Sequence, residues 1–360
     1  MRLVAARTDG EARHGMSVRY RNLTFTAAGR VGMIEGDAEM PAAGQALVRT
    51  RWSLTSPGTE LAFFEGKHTS LHGVVRETPR ACPGYSSTGT VDALGSGCGP
   101  FRVGDVVACP GGHISHATVD AKDLLAIPPG VDEEQAVFFM LGSIALYGAR
   151  TAAPQYGECA LVSGLGVIGQ IVVRLLRLSA VREIIAVDPV AFRRQIALAG
   201  GATCAVDPRD SAFAQTVLDR TGGRGCEVVV EASGNPAAMS AALGAAARRG
   251  RVVALGSPHG ETTLDLYSLL HKKEVALIGC YQPGCPQVEQ PVGAWTQARN
   301  RALFLEYVRA GRLDVRPLVT HRASTTEAQA VYDALAHDKE HALAALFDWR
   351  EPVGKAVDGC

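Results

Sequence analysis

The sequence predicts an α/β protein in which a β-rich first domain precedes a second domain built on a doubly wound parallel sheet. Strands and helices alternate from residue 158 to residue 278, which is typical of a parallel sheet covered by helices on both faces. The first 145 residues contain short β-rich runs broken by glycine and proline, which favours an antiparallel or barrel-like domain. A chain of 360 residues also exceeds the usual size of a single core.

We therefore predict a first domain over residues 1–145 and a second over 146–281, with residues 282–360 returning to the first. The β-rich runs of the first domain are Gln45 to Trp52, Gly89 to Leu94 and Asp105 to Ala108. After Tyr281 the alternation stops, and we expect Trp295 to Ala310 to form a helix outside the parallel sheet.

The clearest motif of the chain starts with an apolar run of strand length, Cys159 to Ser163, and continues into the turn Gly164-Leu165-Gly166-Val167-Ile168-Gly169. Apolar residues then recur at helical spacing. In such a turn the first glycine permits a tight bend, the second lets the backbone approach a pyrophosphate, and the third lets helix and strand pack closely. The helix N-terminus, where Val167 and Ile168 lie, offers free N–H groups to phosphates. The motif predicts a Rossmann dinucleotide-binding unit.

Asp188 follows the next strand, Glu183 to Val187, and lies 24 residues after Gly164. A carboxylate at this place accepts hydrogen bonds from the adenosine ribose and repels the extra phosphate of NADP, so the sequence favours NAD. Arg193 and Arg194 on the next helix mildly favour NADP, because either could reach a 2′-phosphate. Their alternative role is that of solvated surface charges.

The remaining elements of this domain continue the alternation of strands and helices. We predict strands at Thr203 to Val206, Cys226 to Glu231, Arg251 to Leu255 and Val275 to Ile278, and a helix at Pro236 to Arg248. Ligands of a doubly wound sheet bind where its strands end. Ser233 and Gly256 each follow a strand end, so we predict that both line the cofactor cleft.

Composition excludes several classes of partner. Lysine plus arginine equals aspartate plus glutamate, at 36 each, so no bulk charge attracts nucleic acid or anionic lipid. We find no apolar run long enough to span a membrane and no signal peptide.

The nine cysteines form no Cys-x-x-Cys pair, which is typical of reduced thiols in a cytoplasmic protein. Cys109, His113 and His116 offer three possible ligands only, so we predict no metal there.

Three further motifs occur with the glycine turn in an order that identifies a family. They are Pro83-Gly84-Tyr85-Ser86-Ser87-Thr88-Gly89-Thr90-Val91, Val103-Gly104-Asp105-Val106-Val107 and Glu231-Ala232-Ser233-Gly234. Together they resemble the zinc alcohol dehydrogenases of the medium-chain dehydrogenase/reductase superfamily over nearly the whole chain. The resemblance implies a GroES-like catalytic domain closed by the C-terminal residues, with the Rossmann domain inserted. It also implies a homodimer formed through the last strands of the cofactor domain, with a tetramer as the alternative.

The departures from that family concern zinc. Zinc members have the ligands Cys, His and Cys. By the resemblance, the corresponding positions of this chain are Pro57, Tyr85 and, as the nearest match, Leu141. The four closely spaced cysteines that bind a structural zinc in such members are also missing from this sequence. Catalytic zinc needs three protein ligands, so the resemblance implies a zinc-independent member. A looser resemblance, through Ser-Pro-Gly-Thr-Glu and Pro-Gly-Tyr-Ser, is to the subgroup near 2-desacetyl-2-hydroxyethyl bacteriochlorophyllide dehydrogenase.

Without zinc, side-chain donors must stabilise the developing alkoxide. Tyr85 stands at a ligand position, and Thr59 matches the hydroxyl that begins the proton relay of zinc members. In the resemblance, the position of the relay histidine is nearest Ala62, so the usual relay is incomplete and Lys67 and His68 are candidate proton carriers. Each residue also has a structural alternative: Tyr85 packs, Thr59 caps a helix that begins near Glu60, and Lys67 and His68 lie in a surface loop.

We therefore predict a cytoplasmic, NAD-dependent dehydrogenase that transfers a hydride between NAD(H) and a small-molecule secondary alcohol or ketone. A sugar-like, cyclitol-like or natural-product substrate fits this prediction. One alternative is a zinc-free reductase of activated C=C bonds, although such enzymes usually use NADPH and an Ala-x-x-Gly-x-x-Gly turn. The other alternative is a nucleotide-binding protein without turnover.

Overall fold

A hairpin and a seven-stranded sheet form the first domain of the computed structural model, which describes residues 17–67, 83–289 and 295–350. The strands of this half are β1 (Val18–Ala27), β2 (Arg30–Ala38), β3 (Gln45–Leu54), β4 (Ser87–Leu94), β5 (Val106–Cys109), β6 (His116–Asp120) and β7 (Leu125–Ala126). Its helices are α1 (Pro57–Phe64), α2 (Glu133–Ala136) and α3 (Phe139–Ala152). Strand β3 is central, because it pairs antiparallel with both β4 and β6.

The second half contains a six-stranded sheet, all of whose pairings are parallel. Its strands are β8 (Cys159–Ser163), β9 (Glu183–Val187), β10 (Cys204–Val206), β11 (Cys226–Glu231), β12 (Ala246–Ala254) and β13 (Ala276–Gly279). The helices between them are α4 (Val167–Arg177), α5 (Ala191–Ala199), α6 (Phe213–Thr221) and α7 (Ala238–Ala245). The spatial order β10-β9-β8-β11-β12-β13 reverses direction beside β8, as in a doubly wound sheet. The predicted α/β fold class is confirmed.

One predicted helix is shorter than expected. The alanine-rich run predicts a helix from Pro236 to Arg248, but α7 ends at Ala245 and β12 begins at Ala246. Ala246 is extended and pairs with Cys226 of β11, and its side chain is buried. Alanine has the highest helix propensity, yet pairing in the sheet outweighs that preference here.

The last part of the chain adds two strands to the first sheet. Its elements are α8 (Gln297–Arg309), β14 (His321–Ser324), α9 (Ala328–His337) and β15 (Ala345–Asp348). Strand β15 pairs antiparallel with β3 and parallel with β14. Short helical turns occur at Ala121–Asp123, Tyr267–His271, Gln282–Gly284, Arg316–Leu318 and Thr325–Glu327. Side chains from α9 and from the end of β15 thereby reach the region around α1.

The two halves share one apolar core, which extends from Trp52 and Leu54 of the first sheet to β8 and β11 of the second. Helix α3 crosses the predicted boundary at residues 145 and 146, so that boundary falls inside an element. All cysteines in the described ranges are free thiols. No helix within these ranges has the length and apolarity needed to cross a bilayer.

Candidate active site and cofactor cleft

The glycine turn between β8 and α4 is shaped by steric limits on its backbone. Gly164 has φ of +88°, a conformation that favours glycine. A Cβ on Gly169 would lie 1.9 Å from the Gly164 carbonyl oxygen, so no side chain fits there. Around Gly166, by contrast, no described atom lies within 4 Å of the place where a Cβ would stand. The turn therefore leaves an open cradle in front of the N–H groups of Val167 and Ile168, which begin α4.

Asp188 is buried at the end of β9, beside this turn. One carboxylate oxygen accepts the Leu165 N–H at 2.8 Å and the other accepts the Val190 N–H at 2.9 Å. These bonds fix the carboxylate against the glycine turn. Each oxygen retains capacity for a second hydrogen bond, as ribose hydroxyls would require.

Arg194 is held by protein groups. Its guanidinium donates to the Asp188 carbonyl at 2.7 Å and lies 3.4 Å from the Asp207 carboxylate. Arg209 also pairs with Asp207 at 2.7 Å, and its hydrogen bonds hold the pKa of Asp207 well below its usual range. Arg194 therefore has less freedom to bind a 2′-phosphate than the sequence suggests.

Arg193 reaches across to the C-terminal segment, where its guanidinium lies 3.4 Å from the Ala342 carbonyl oxygen. Its buried Nε finds no hydrogen-bond partner among the described residues. A buried donor without a partner is costly, and a ribose or phosphate oxygen of a bound cofactor would satisfy it.

Two more loops meet the glycine turn at the same edge of the sheet. A Cβ on Gly164 would lie 2.5 Å from the Ser233 backbone, and one on Gly256 would lie 2.3 Å from the Gly234 nitrogen. Glu231, which is buried at the end of β11, accepts the Ser233 N–H at 2.9 Å and the Ser233 hydroxyl. Sequence reasoning missed this role of Glu231, although an acid that ends an otherwise apolar strand is a signal for it.

The candidate catalytic group lies where α1 begins. The Tyr85 phenol oxygen lies 2.6 Å from the Ser56 hydroxyl, and Thr59 is a second hydrogen-bond partner. Burial raises the pKa of Tyr85 to about 12, with a smaller contribution from the charge of Glu60 and with the two hydrogen bonds acting in the opposite direction. Tyr85 is therefore a protonated phenol near neutral pH and can donate a hydrogen bond.

The expectation that Thr59 caps a helix is wrong. Ser56 occupies the N-cap position and Pro57 the first helical position, so Thr59 lies within the first turn. The helix starts earlier than predicted because proline is favoured at its first position. The Ser56 side chain makes no cap hydrogen bond and is engaged with Tyr85 instead.

Glu60 is a buried acidic residue in the first turn of α1. One of its oxygens accepts the Ser56 backbone N–H at 2.6 Å. The other accepts the Tyr332 hydroxyl from α9 at 2.6 Å and lies 3.2 Å from Nε2 of His113. This carboxylate therefore ties the start of α1 to α9 and to the loop before β6.

His113 extends the network away from Glu60. Its Nδ1 lies 2.7 Å from the Ser53 hydroxyl, which also accepts the Trp349 indole N–H at 2.8 Å. The indole is a donor only, so Ser53 can direct its own hydrogen to Nδ1 while Nε2–H donates to Glu60. No sequence motif signals this network, because its members are distant along the chain.

Lys67, one of the two predicted proton carriers, does not join this cluster. The Lys67 ammonium pairs with Glu65 at 2.8 Å, and its side chain is 73% exposed. His68 lies outside the described residues.

The three positions that the family resemblance assigns to zinc ligands do not carry a set of side chains that fits zinc. Pro57 begins α1, Tyr85 bonds to Ser56, and Leu141 is 1% exposed within the core. Proline and leucine offer no ligating atom, whereas catalytic zinc needs three protein ligands. Over residues 17–67, 83–289 and 295–350, no group of three or more His, Cys, Asp or Glu side chains could hold a metal.

Comparison with protein families matches residues 167–297 to a zinc-binding dehydrogenase family. D-guloside 3-dehydrogenase of Shigella flexneri is 25% identical over 322 residues, which cover 83% of this chain and 91% of that protein. L-threonine 3-dehydrogenase of Pyrococcus horikoshii is 25% identical over 321 residues, which cover 81% of this chain and 87% of that protein.

Solved structures share the fold. A structure described as a short chain alcohol dehydrogenase of Escherichia coli CFT073, complexed with NADH, has a TM-score of 0.78 at 20% identity and covers 92% of this chain and 99% of its own. A Sinorhizobium meliloti 1021 protein bound to NADP has a TM-score of 0.75 at 18% identity, with coverage of 92% and 99%. The predicted combination of GroES-like and Rossmann domains is confirmed.

The fold and these similarities support an alcohol dehydrogenase-type oxidoreductase of the medium-chain dehydrogenase/reductase superfamily.

Proposed function

We propose that this protein is a zinc-independent, NAD-dependent dehydrogenase that transfers a hydride between NAD(H) and a secondary alcohol or ketone. The observation that carries the proposal is the protonated Tyr85 phenol, hydrogen bonded to Ser56 and Thr59, at a position that holds a metal ligand in zinc members. A preorganised donor aimed at a developing oxyanion can replace part of the work of a metal.

A nicotinamide cofactor held by the glycine turn and Asp188 would supply the hydride chemistry at the substrate carbon. When Ser56 donates to the phenol oxygen of Tyr85, the phenol hydrogen is free to donate to the substrate oxygen. That bond strengthens as negative charge develops on the substrate oxygen, so it favours the transition state over the ground state. Thr59 holds the phenol from the first turn of α1.

Glu60 acts as a positioning residue in this proposal. Its carboxylate takes the Ser56 backbone N–H, while the Ser56 hydroxyl remains on Tyr85. Contacts with Tyr332 and His113 fix the carboxylate from two other parts of the fold. The orientation of Tyr85 therefore depends on Glu60 without direct contact between Glu60 and the substrate.

Cofactor preference follows from Asp188, whose fixed carboxylate favours two ribose hydroxyls over a 2′-phosphate. Arg193 is the candidate for a further contact to the cofactor. Val167, Ile168, Ser233 and Gly256 complete the proposed cleft.

A panel of secondary alcohols and ketones, followed by NADH absorbance with the full-length protein, tests the activity. The relatives are named for oxidation at position 3 of a guloside and of threonine, so the panel should include glycosides, cyclitols and hydroxy amino acids. Elemental analysis of the active protein after dialysis tests zinc independence. One zinc per chain, together with activity lost to chelators, would contradict the proposed mechanism.

We also propose a cytoplasmic homodimer, with a tetramer as the alternative. Strand β13 lies at the edge of its sheet, where Leu277 is 41% exposed, and Tyr267 and Tyr281 nearby are 67% and 75% exposed. An apolar edge strand favours pairing with a second copy. A monomer mass in light scattering would contradict this assembly.

A further inference from the structure

A groove of about 820 Å³ lies between the β1–β2 hairpin and the sheet formed by β3, β4 and β6. It shares no lining residue with the cofactor cleft or with the Tyr85 pocket, the region lined by Ser56, Thr59, Glu60 and Tyr85. Five arginines converge on it from three separate parts of the chain, with a histidine, a tryptophan and several hydroxyl side chains. The lining residues are Arg19, Arg21, Glu35, Arg49, Thr50, Arg51, Thr90, Ser115, His116, Trp349 and Arg350.

Three of these arginines are held by carboxylates that do not line the groove. Asp92 holds Arg49 at 3.0 Å, Glu133 holds Arg51 at 2.7 Å, and Asp348 holds Arg350 at 2.7 Å. Arg350 is also stacked 4.5 Å above the Trp52 ring. A guanidinium has five N–H donors, so each arginine keeps donors beyond those used in its ion pair. The carboxylates thus preorganise the arginines, which lowers the entropy lost when an anion binds.

Arg21 differs from the other four arginines. Its guanidinium forms no ion pair with any residue in the described ranges, whereas Arg19 on the same strand pairs with Glu35 at 2.7 Å. Backbone bonds to Ser115 fix this part of β1 in place. The hydroxyl of Thr50, a residue that is 2% exposed, is buried and has no partner within those ranges. An unpaired cation and an unpaired hydroxyl side chain therefore lie together at one groove.

We propose that this groove binds a small anion that carries at least two phosphate or carboxylate groups. Arginine forks match both groups through paired N–H donors. Five guanidinium groups line the groove, and together they offer more N–H donors than one phosphate or carboxylate group can accept. The chain as a whole has no net charge, so the attraction of an anion would come from the arginines that line the groove. Burial lowers the pKa of His116, so that ring supplies a hydrogen bond and not a charge near neutral pH.

Isothermal titration of the full-length protein with pyrophosphate and with citrate, at physiological ionic strength, tests the proposal. We expect saturable binding of at least one, with acetate as the negative control. Pyrophosphate binding alone would assign phosphate groups to the ligand, and citrate binding alone would assign carboxylates. Because pyrophosphate also fits the glycine turn, the titration is repeated with NADH present.

Arg21→Gln is the informative variant, since it removes a charge without breaking an ion pair. It should raise Kd about tenfold, the equivalent of one lost charge-assisted hydrogen bond. Arg316→Gln is the matched control, because Arg316 is exposed and pairs only with Asp314 among the described residues. Absence of saturable binding of both probes, or equal weakening by the two substitutions, would overturn the proposal. These outcomes do not depend on dehydrogenase activity.

Discussion

The cofactor cleft and the Tyr85 pocket are built by different means, although both lie beside the same core. In the cleft, three loops approach so closely that a Cβ would meet backbone atoms at Gly164, Gly169 and Gly256. In the pocket, hydroxyl and carboxylate side chains hold one another around Ser56 and Tyr85. A cleft shaped by backbone is sensitive to added volume, whereas a pocket shaped by side chains is sensitive to the loss of single polar atoms.

The largest effect should come from adding a methyl group to the turn. Gly169→Ala places a Cβ only 1.9 Å from the Gly164 carbonyl oxygen, so the backbone must move. We expect a loss of about 3 kcal/mol in the free energy of unfolding, as for severe overpacking, together with loss of NADH binding. Denaturant unfolding and fluorescence titration measure the two effects.

Gly166→Ala is the matched control for that substitution. No described atom lies within 4 Å of the added carbon, so the free energy of unfolding should stay within about 1 kcal/mol of wild type. NADH affinity should still fall, because the carbon enters the space proposed for the pyrophosphate. Equal destabilisation by the two variants would show that the turn is not shaped by close contact.

The second prediction concerns the pocket. Tyr85→Phe keeps the ring and removes the donor, so kcat should fall roughly 10²-fold while NADH affinity changes little. Thr59→Val removes one hydroxyl partner of Tyr85 at similar volume and should cost less. Kinetics with the true substrate decide between these roles, and near wild-type turnover in Tyr85→Phe would mean that the tyrosine only packs.

The third prediction separates positioning from packing. Glu60→Gln presents an amide N–H₂ to groups that all donate to the carboxylate, so one donor loses its acceptor at a cost of about 1–3 kcal/mol in stability. At temperatures where the variant is fully folded, we expect kcat to fall while NADH affinity is retained. Tyr332→Phe, which removes one donor only, should cause a smaller loss of the same kind. Unchanged kcat in folded Glu60→Gln would limit Glu60 to a structural role.

The fourth prediction concerns the cleft again. Asp188→Ala removes the acceptor proposed for the ribose hydroxyls, so the ratio of NADPH Kd to NADH Kd should fall about tenfold. The substitution also frees the Leu165 and Val190 N–H groups, which weakens the turn for both cofactors. The ratio, measured by fluorescence titration, cancels that shared effect. A wild-type protein that prefers NADPH would reverse the assignment and direct attention to Arg193.

The two regions also differ in how far the sequence predicts them. Strands β8, β9 and β11 have the predicted bounds, because apolar strands followed by glycine turns are local signals. The residues around Tyr85 could be proposed only through family resemblance. Its partner Ser56 was missed, and so was the Glu60 network, because Tyr332 and His113 come from remote segments that only the tertiary fold brings together. Helix α7 also ends earlier than predicted for this reason, because Ala246 pairs with Cys226 of β11, a contact that the local sequence does not indicate.

The effect that is smallest near neutral pH is the pH dependence of stability that Tyr85 contributes. Its pKa is raised from 10.0 to about 12 in the folded protein, mainly by burial, so the folded state holds the phenol proton more tightly than the unfolded chain does. This contribution is therefore fully present below about pH 10 and is lost as the pH rises towards 12. Tyr85→Phe should remove that component, so the difference in unfolding free energy between wild type and variant should be constant up to pH 9 and then decrease. Denaturant unfolding of both proteins at several pH values measures it, and Tyr147, whose pKa burial also raises, is present in both and cancels. A difference that stays constant through pH 11 would show that the Tyr85 phenol ionises as it does in water, and would remove the physical basis for its role as a protonated donor.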